Sequence, residues 1–166
     1  LSNSFALPKD ADAALGIFKD GHASPSKVSD FLSIVPAHRD LSGVLTQGFA
    51  DAAALFRLRN FLDLTSGFDF VILDTPPTLS GLPLSAFVAA SHLVAVVSTN
   101  YYTLQGTQDL LGTVLMVQKH FGSELRFLGA AVAIHDRRTA LANEVLERVK
   151  EGFGGEVLKT IIPRVI

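Results

Sequence analysis

Apolar residues recur three and four positions apart in five stretches of the chain, and polar or proline-containing segments separate these stretches. The first stretch runs through Ala11, Ala14, Leu15 and Phe18 and stops at Gly21. This spacing places the apolar side chains on one face of a helix. The same reasoning predicts four further helices, at residues 52–64, 84–90, 105–120 and 141–150.

Strands are predicted where apolar and β-branched residues follow one another with no polar face. Three runs have this character and suit strands that are buried on both sides, at residues 68–73, 93–97 and 127–134. Shorter extended segments are predicted at 31–36 and 157–162. Because strands alternate with helices, we expect right-handed crossovers and a parallel sheet. The predicted fold is α/β, a doubly wound parallel sheet with helices on both faces, in a single domain of residues 1–166.

Such sheets bind ligands at the carboxyl ends of their strands. We expect the runs at 70–73 and 93–97 to be neighbours or near neighbours, with Asp74 and Ser98 at the same edge. Asp74 directly follows an apolar run, where a charge needs a cation or hydrogen-bond donors to offset its desolvation. Its position suits an aspartate that holds Mg²⁺ beside nucleotide phosphates, but a helix cap or a lysine partner would satisfy it equally well.

Two further segments contain residues that could contact a ligand or a partner. Pro76 and Pro77 fix two backbone angles, which suits a stiff loop beside a γ-phosphate or an ordinary turn. Arg137 and Arg138 follow a predicted strand and suit phosphate or an acidic partner, although a solvated helix start explains them as simply. The five histidines show no paired spacing, which argues against a metal centre built from protein ligands alone.

Composition narrows the class of protein. The 166 residues are 48% hydrophobic and 18% charged, far from the composition of disordered chains. A net charge of −2 provides no general attraction to DNA or anionic lipid, so nucleic-acid contacts would need a local basic cluster. Cysteine is absent, and no apolar run approaches the ~18 residues of a spanning helix. We therefore expect a soluble, intracellular protein and no membrane partner.

Residues 68–77 read FDFVILDTPP, an apolar run that ends in an aspartate, a threonine and two prolines. This segment resembles the Walker-B and switch II segment of the ParA/Soj partition ATPases, the branch of deviant-Walker P-loop proteins that also contains MinD. Residues 35–41 resemble its IPA-x-x-DL segment, and residues 100–106 resemble its E-Y-x-A-L-E-G turn. Further matches follow at the family's spacing, so that the resemblance covers nearly the whole chain, at residues 117–120, 136–139 and 161–164.

The resemblance implies an ATPase of chromosome or plasmid partition that binds ATP and Mg²⁺, dimerises across the nucleotide and binds DNA non-specifically as the dimer. A ParB-like partner would stimulate hydrolysis, and the protein would be cytoplasmic and associated with the nucleoid. Asp74 would be the catalytic residue and would hold Mg²⁺ through water. The implied nucleotide-binding residues are Thr75, Pro76, Pro77, Arg138, Pro163 and Arg164, and the implied DNA-binding residues are Arg137 and Arg164.

The chain departs from the family in a segment that matters for activity. The family's Gly-rich phosphate-binding loop, xKGGxxK[ST], does not occur in residues 1–166. We therefore expect a P-loop NTPase-like sheet with its first β-α-β unit missing, and no ATP hydrolysis by this segment alone. Because an unfilled position would expose strand edges and apolar faces, we expect other residues of the same polypeptide or a strand of a second chain to fill it in any stable sample. The alternative is a non-catalytic truncated paralogue that pairs with a full-length ParA/MinD-like ATPase and regulates it.

Overall fold

The fold is that of a computed structural model, which describes residues 13–37, 41, 52–79, 81–99, 103–136 and 138–164. The chain divides into two compact units, residues 1–89 and 90–166. Each unit has its own helices and strands. The expectation that residues 1–166 form a single domain stays a prediction.

The first unit is mainly helical. Its elements in chain order are α1 (Ala13–Lys19), β1 (Ser26–Lys27), β2 (Ser33–Ile34), α2 (Ala52–Asp63) and α3 (Leu82–Ala89). The two short strands pair antiparallel, and β2 is all that forms of the strand predicted at 31–36. Ile17, Phe18 and Ala54 are the buried centre of a core between α1 and α2. Helix α3 is apolar on every side, and its residues 83–88 are all buried.

The strand predicted at 68–73 does not form, and this prediction is wrong for the structure. Residues 70–76 have no regular secondary structure, and the side chains of Phe70 and Ile72 are 87% and 89% exposed. A β-branched and aromatic sequence forms a strand only when a neighbour pairs with its backbone. Among the described residues no strand pairs with this run.

The second unit is a parallel sheet with two helices. Its elements in chain order are β3 (His92–Ser98), α4 (Thr103–Phe121), β4 (Arg126–His135), α5 (Ala140–Gly152) and β5 (Val157–Pro163). The strand order is β3-β4-β5, and both neighbouring pairs are parallel. The predicted α/β fold with a parallel sheet is confirmed, and so are the helices and strands predicted in this part of the chain. The expectation that residues 70–73 lie beside β3, with Asp74 and Ser98 at one edge, stays a prediction.

Both faces of this sheet are apolar, as the strand sequences predict. One face packs against a stripe of α5 with apolar residues at helical spacing. The buried core there contains Ala95, Ala130, Val132, Val145, Leu146, Val149 and Phe153. Alternate strand residues point to the other face, where Val96 is 74% exposed and Leu128 and Ile162 are also exposed. That second face therefore offers apolar surface to whatever covers it.

Strand β4 and the start of β5 approach each other closely at Gly129. Its φ of 124° lies in a region that glycine adopts without strain, and the register between β3 and β4 shifts beside it. A Cβ added there would lie 2.7 Å from the carbonyl oxygen of Glu156. The same oxygen accepts a hydrogen bond from the Ala130 N–H at 2.8 Å, so it cannot move away freely. Position 129 therefore requires glycine both for its positive φ and for the close approach of the Glu156 carbonyl oxygen.

We expect Gly129→Ala to destabilise the protein by about 1–3 kcal/mol, because it adds a strained φ and a backbone clash. Gly112→Ala in α4 is the matched control, since no atom outside its own stretch of helix lies within 4 Å of the added Cβ. That change should stabilise the protein by about 0.5–1 kcal/mol. Urea unfolding followed by circular dichroism measures both. Equal free energies of unfolding for Gly129→Ala and the wild type would contradict the close approach.

Candidate functional site

Three strand ends lie side by side at the carboxyl edge of the second unit. The paired register runs to Ser98 with Ala133 between β3 and β4, and to His135 with Pro163 between β4 and β5. Because all three strands are parallel, the residues that follow them share this edge. They are Thr99, Asp136 and Arg164. This is the edge at which open α/β sheets bind their ligands.

His135 links the three strand ends. Its side chain is 2% exposed, and its Nδ1 lies 3.3 Å from the Oγ1 of Thr99, which follows β3. Its carbonyl oxygen accepts the N–H of Arg164, which follows β5, at 3.0 Å. The preceding residue, Ile134, has a φ of 56°, a left-handed conformation that is strained for a β-branched side chain. The turn leaves the side chain of Ile134 exposed and that of His135 buried.

Asp136 and Arg138 form a two-point ion pair just beyond β4. The guanidinium donates from Nε to Oδ1 at 3.0 Å and from Nη2 to Oδ2 at 2.9 Å. The backbone N–H of Arg138 also donates to Oδ1, at 3.1 Å. A guanidinium has five N–H donors, so most of them are not used by the carboxylate. The pair therefore fixes the orientation of a cation whose side chain is 70% exposed.

The ion pair shifts the pKa of both groups. Hydrogen bonds from the side chain and backbone of Arg138, with the charge of Arg164 adding to them, lower the pKa of Asp136 from 3.8 to about 2. The carboxylate raises the pKa of Arg138 in return. All three groups are charged at neutral pH. Two arginines near one carboxylate give this edge a local positive charge, which favours an anionic ligand.

The segment that holds the pair is short because α5 begins immediately after it. Thr139 caps α5, since its hydroxyl accepts the N–H of Ala142 at 3.3 Å. The N–H and the hydroxyl of Thr139 both donate to the carbonyl of Asp136, at 3.2 Å each. Arg138 therefore lies in a tight turn that is bound at both ends.

Asp74, predicted to hold Mg²⁺, and residues 75–77, predicted to bind nucleotide, lie in the first unit. All four residues are exposed. The N–H of Thr78 donates to the carbonyl of Pro76 at 2.8 Å, a bond that spans only Pro77. This is the pattern of a γ-turn, which the fixed φ of proline suits. The segment is thus a locally stiff turn that follows an exposed carboxylate.

Asp74 has the donor chemistry of a magnesium ligand. An exposed carboxylate supplies the oxygen atoms that Mg²⁺ prefers and leaves room for the waters that this ion retains. In the parts of the chain that the structure describes, no group of three or more His, Cys, Asp or Glu side chains could hold a metal ion. Asp74 therefore fits one ligand of a site completed by phosphate and water oxygens.

Of the residues predicted to bind nucleotide, the structure brings Arg138, Pro163 and Arg164 together at the carboxyl edge of the sheet. Asp74 and the turn after it are in the other unit. Arg137, predicted to bind DNA, lies outside the described residues. No helix within the described ranges is long and apolar enough to cross a membrane.

Sequence reasoning assigns no role to two residues of this edge, Thr99 and His135. A single threonine or histidine carries no spacing pattern, and a histidine at the end of an apolar strand is ordinarily a core residue. The available signal is position, because each stands at the carboxyl end of a predicted strand. Asp136 has the same signal and was noted only as part of a matching segment.

Comparison with known proteins identifies a matching family and several relatives of the chain. Residues 18–127 match the family model described as AAA domain. The chain is 36% identical over 134 residues to the sporulation initiation inhibitor protein Soj of Bacillus subtilis, covering 80% of this chain and 53% of that protein. It is 39% identical over 135 residues to the chromosome-partitioning ATPase Soj of Thermus thermophilus, covering 81% and 53%. The chain thus spans about half the length of these curated relatives.

Solved structures show the same fold. The cobyrinic acid a,c-diamide synthase of Mycobacterium smegmatis superposes with a TM-score of 0.82 and 26% sequence identity, covering 99% of this chain and 70% of that one. A structure of the same enzyme with a bound ATP analogue and magnesium superposes with a TM-score of 0.81 and 27% identity, at the same coverage.

The ion pair predicts a specific dependence of stability on pH. Because the pKa of Asp136 is lowered from 3.8 to about 2 by folding, its carboxylate stabilises the fold above about pH 4, and this contribution is lost as the pH falls through about 2. The free energy of unfolding of the wild type should therefore fall more steeply over this range than that of Asp136→Asn, as measured by urea titration.

Arg138→Gln provides the control for the cause of the shift. Without the guanidinium, the carboxyl ¹³C signal of Asp136 should titrate nearer to 3.8. Parallel pH profiles for the wild type and Asp136→Asn, with an unshifted midpoint for Asp136, would show that the pair does not form.

Proposed function

We propose that this chain, which belongs to the ParA/Soj family of partition ATPases, acts in chromosome or plasmid segregation by binding ATP with Mg²⁺. In this proposal it works in the cytoplasm, dimerises across the nucleotide and binds DNA non-specifically as the dimer. A ParB-like partner stimulates hydrolysis. The observation that carries the proposal is the carboxyl edge of the parallel sheet, where Arg138 and Arg164 lie near the single carboxylate of Asp136.

The proposal assigns different tasks to the residues of the two units. In the first unit, Asp74 holds the magnesium ion through water and positions the attacking water, and residues 75–77 respond to the γ-phosphate. In the second unit, Pro163 and Arg164 contact the base, and Arg138 contacts the phosphates or the dimer edge. The ion, when bound, supplies positive charge to the phosphate oxygens.

Three features support nucleotide binding. The edge of the second unit has a local positive charge and an arginine already oriented by Asp136. The γ-turn at Pro77 makes the segment after Asp74 stiff enough to hold a backbone N–H in place. Structures of a protein with the same fold contain ADP with magnesium and an ATP analogue with magnesium.

The same physical reasoning limits what residues 1–166 can do by themselves. Tight binding of Mg²⁺ and ATP in P-loop proteins uses backbone amides and a lysine around the β- and γ-phosphates. The Gly-rich loop that supplies these groups does not occur in this sequence. The proposed hydrolysis therefore requires such a loop from elsewhere in the complete gene product or from a partner chain.

We expect Asp74→Ala to reduce ATP hydrolysis to background in the complete gene product, assayed with DNA and the ParB-like partner, because the magnesium ion loses the carboxylate that holds it through water. Asp69→Ala is the matched control, since Asp69 is an exposed aspartate of the same segment and should leave turnover unchanged. Phosphate release measures both.

Calorimetry on residues 1–166 alone tests the requirement for the phosphate-binding loop. We expect no tight binding of ATP with Mg²⁺ to this segment. Tight binding, or wild-type turnover in Asp74→Ala, would refute the proposed site. If the complete gene product has no turnover itself but changes that of a full-length ParA-like ATPase, the regulatory paralogue is the correct assignment.

The proposed DNA contacts are phosphate-directed, so they predict a salt dependence rather than a sequence preference. In the ATP-bound dimer, Arg137→Ala should reduce the slope of log K against log salt by about 0.9, the loss of one phosphate contact on duplex DNA. Arg126→Ala is the control, because Arg126 begins β4 and so lies at the opposite edge of the sheet. An unchanged slope in Arg137→Ala, measured by fluorescence anisotropy, would remove Arg137 from the DNA surface.

A further inference from the structure

The backbone pairing between β3 and β4 ends before His135. The last pair is Ser98 with Ala133, and Ile134 then adopts the left-handed φ of 56°, which interrupts the strand geometry. Beyond that pair, a side-chain contact joins the two strand ends, from Nδ1 of His135 to Oγ1 of Thr99 at 3.3 Å. A buried side chain thus continues a connection that the backbone no longer makes.

His135 is also bound on the side of β5. Its carbonyl accepts the N–H of Arg164, and it pairs in register with Pro163. Asp136 follows directly and provides the acceptors for the next turn, its carboxylate for Arg138 and its carbonyl for Thr139. Any displacement of residue 135 would therefore be passed to the carboxylate that orients the guanidinium.

We propose that His135 is a positioning residue, whose bond to Thr99 holds Asp136 in place and thereby orients the guanidinium of Arg138. The effect on ligand binding rests on the proposed nucleotide function, whereas the orientation of Arg138 does not. If His135 only filled space in the core, an apolar residue of similar size would leave Arg138 as it is. The two roles therefore predict different behaviour of the Arg138 Nε–H.

Hydrogen exchange of that Nε–H, measured by NMR on the ¹⁵N-arginine-labelled complete gene product, separates the two roles. We expect His135→Leu and Thr99→Val each to speed exchange by about fivefold, the effect of one lost hydrogen bond. The double variant should add little, because both changes remove the same contact. His135→Asn should restore slow exchange, since its amide can occupy the place of Nδ1.

The controls come from the same unit. Asp136→Asn should abolish the protection, because it removes the charged acceptor of the guanidinium. His120→Leu and Thr113→Val lie in α4, where their side chains bond helix carbonyls, and should leave exchange unchanged. Wild-type exchange in both His135→Leu and Thr99→Val would overturn the proposal. If His135→Leu does not fold, Thr99→Val decides, because it keeps the shape of the side chain.

Affinity for ADP with Mg²⁺, measured on the same samples, separates this inference from the proposed function. If the wild type does not bind ADP, the nucleotide function fails, and the exchange rates still decide the role of His135. If the wild type binds, His135→Leu and Thr99→Val should weaken binding by about fivefold and His135→Asn should restore it. If the variants exchange the Arg138 Nε–H faster but bind ADP with unchanged affinity, the orientation of Arg138 does not contribute to nucleotide binding.

Discussion

Strand β4 is hydrogen-bonded on both sides, and the candidate site of the second unit depends on that pairing. Parallel strands bring their carboxyl ends to one edge, so Thr99, Asp136 and Arg164 meet there although they are far apart in sequence. Ala130 and Val132 are fully buried beneath helix α5, which fixes the strand in the core. The side chains at the edge then need only short local bonds to reach their places.

Strand β4 departs from regular geometry at Gly129, the fourth of its ten residues, and at Ile134, the residue before its last, and contacts from neighbouring segments hold both departures in place. Gly129 accepts the close approach of Glu156 because it has no Cβ. At Ile134, the left-handed backbone conformation of a β-branched residue destabilises the fold by about 1–3 kcal/mol. The two bonds of His135, each contributing about 1 kcal/mol, are of the right size to offset the strain at Ile134. Contacts to both neighbouring strands therefore offset the backbone strain at Ile134.

The sequence predicts most of the fold because its helices and two of its long strands carry their periodicity locally. Strands β3 and β4 were predicted to within one residue at each end, and all five helices form. The run at 68–73 has an equally strong β pattern and forms no strand, because pairing depends on a neighbour that the pattern does not contain. For the site, Arg138 and Arg164 could be predicted from a resemblance. The contact between His135 and Thr99 could not be predicted, since it depends on the left-handed conformation of Ile134, which an isoleucine rarely adopts.

The Asp136–Arg138 pair explains how one edge can be both fixed and open to a ligand. The pair is largely exposed on the arginine side, so water and salt screen it and limit its contribution to stability. Its effect is geometric, because the guanidinium has already lost the rotamer freedom that an anion would otherwise have to remove on binding. Asp136 accepts hydrogen bonds from Nε and Nη2 of Arg138, so Nη1 can donate to another acceptor. A phosphate can therefore bind an oriented Arg138 without first displacing the carboxylate, and the charge of Arg164 keeps the edge attractive to anions while Asp136 stays ionised.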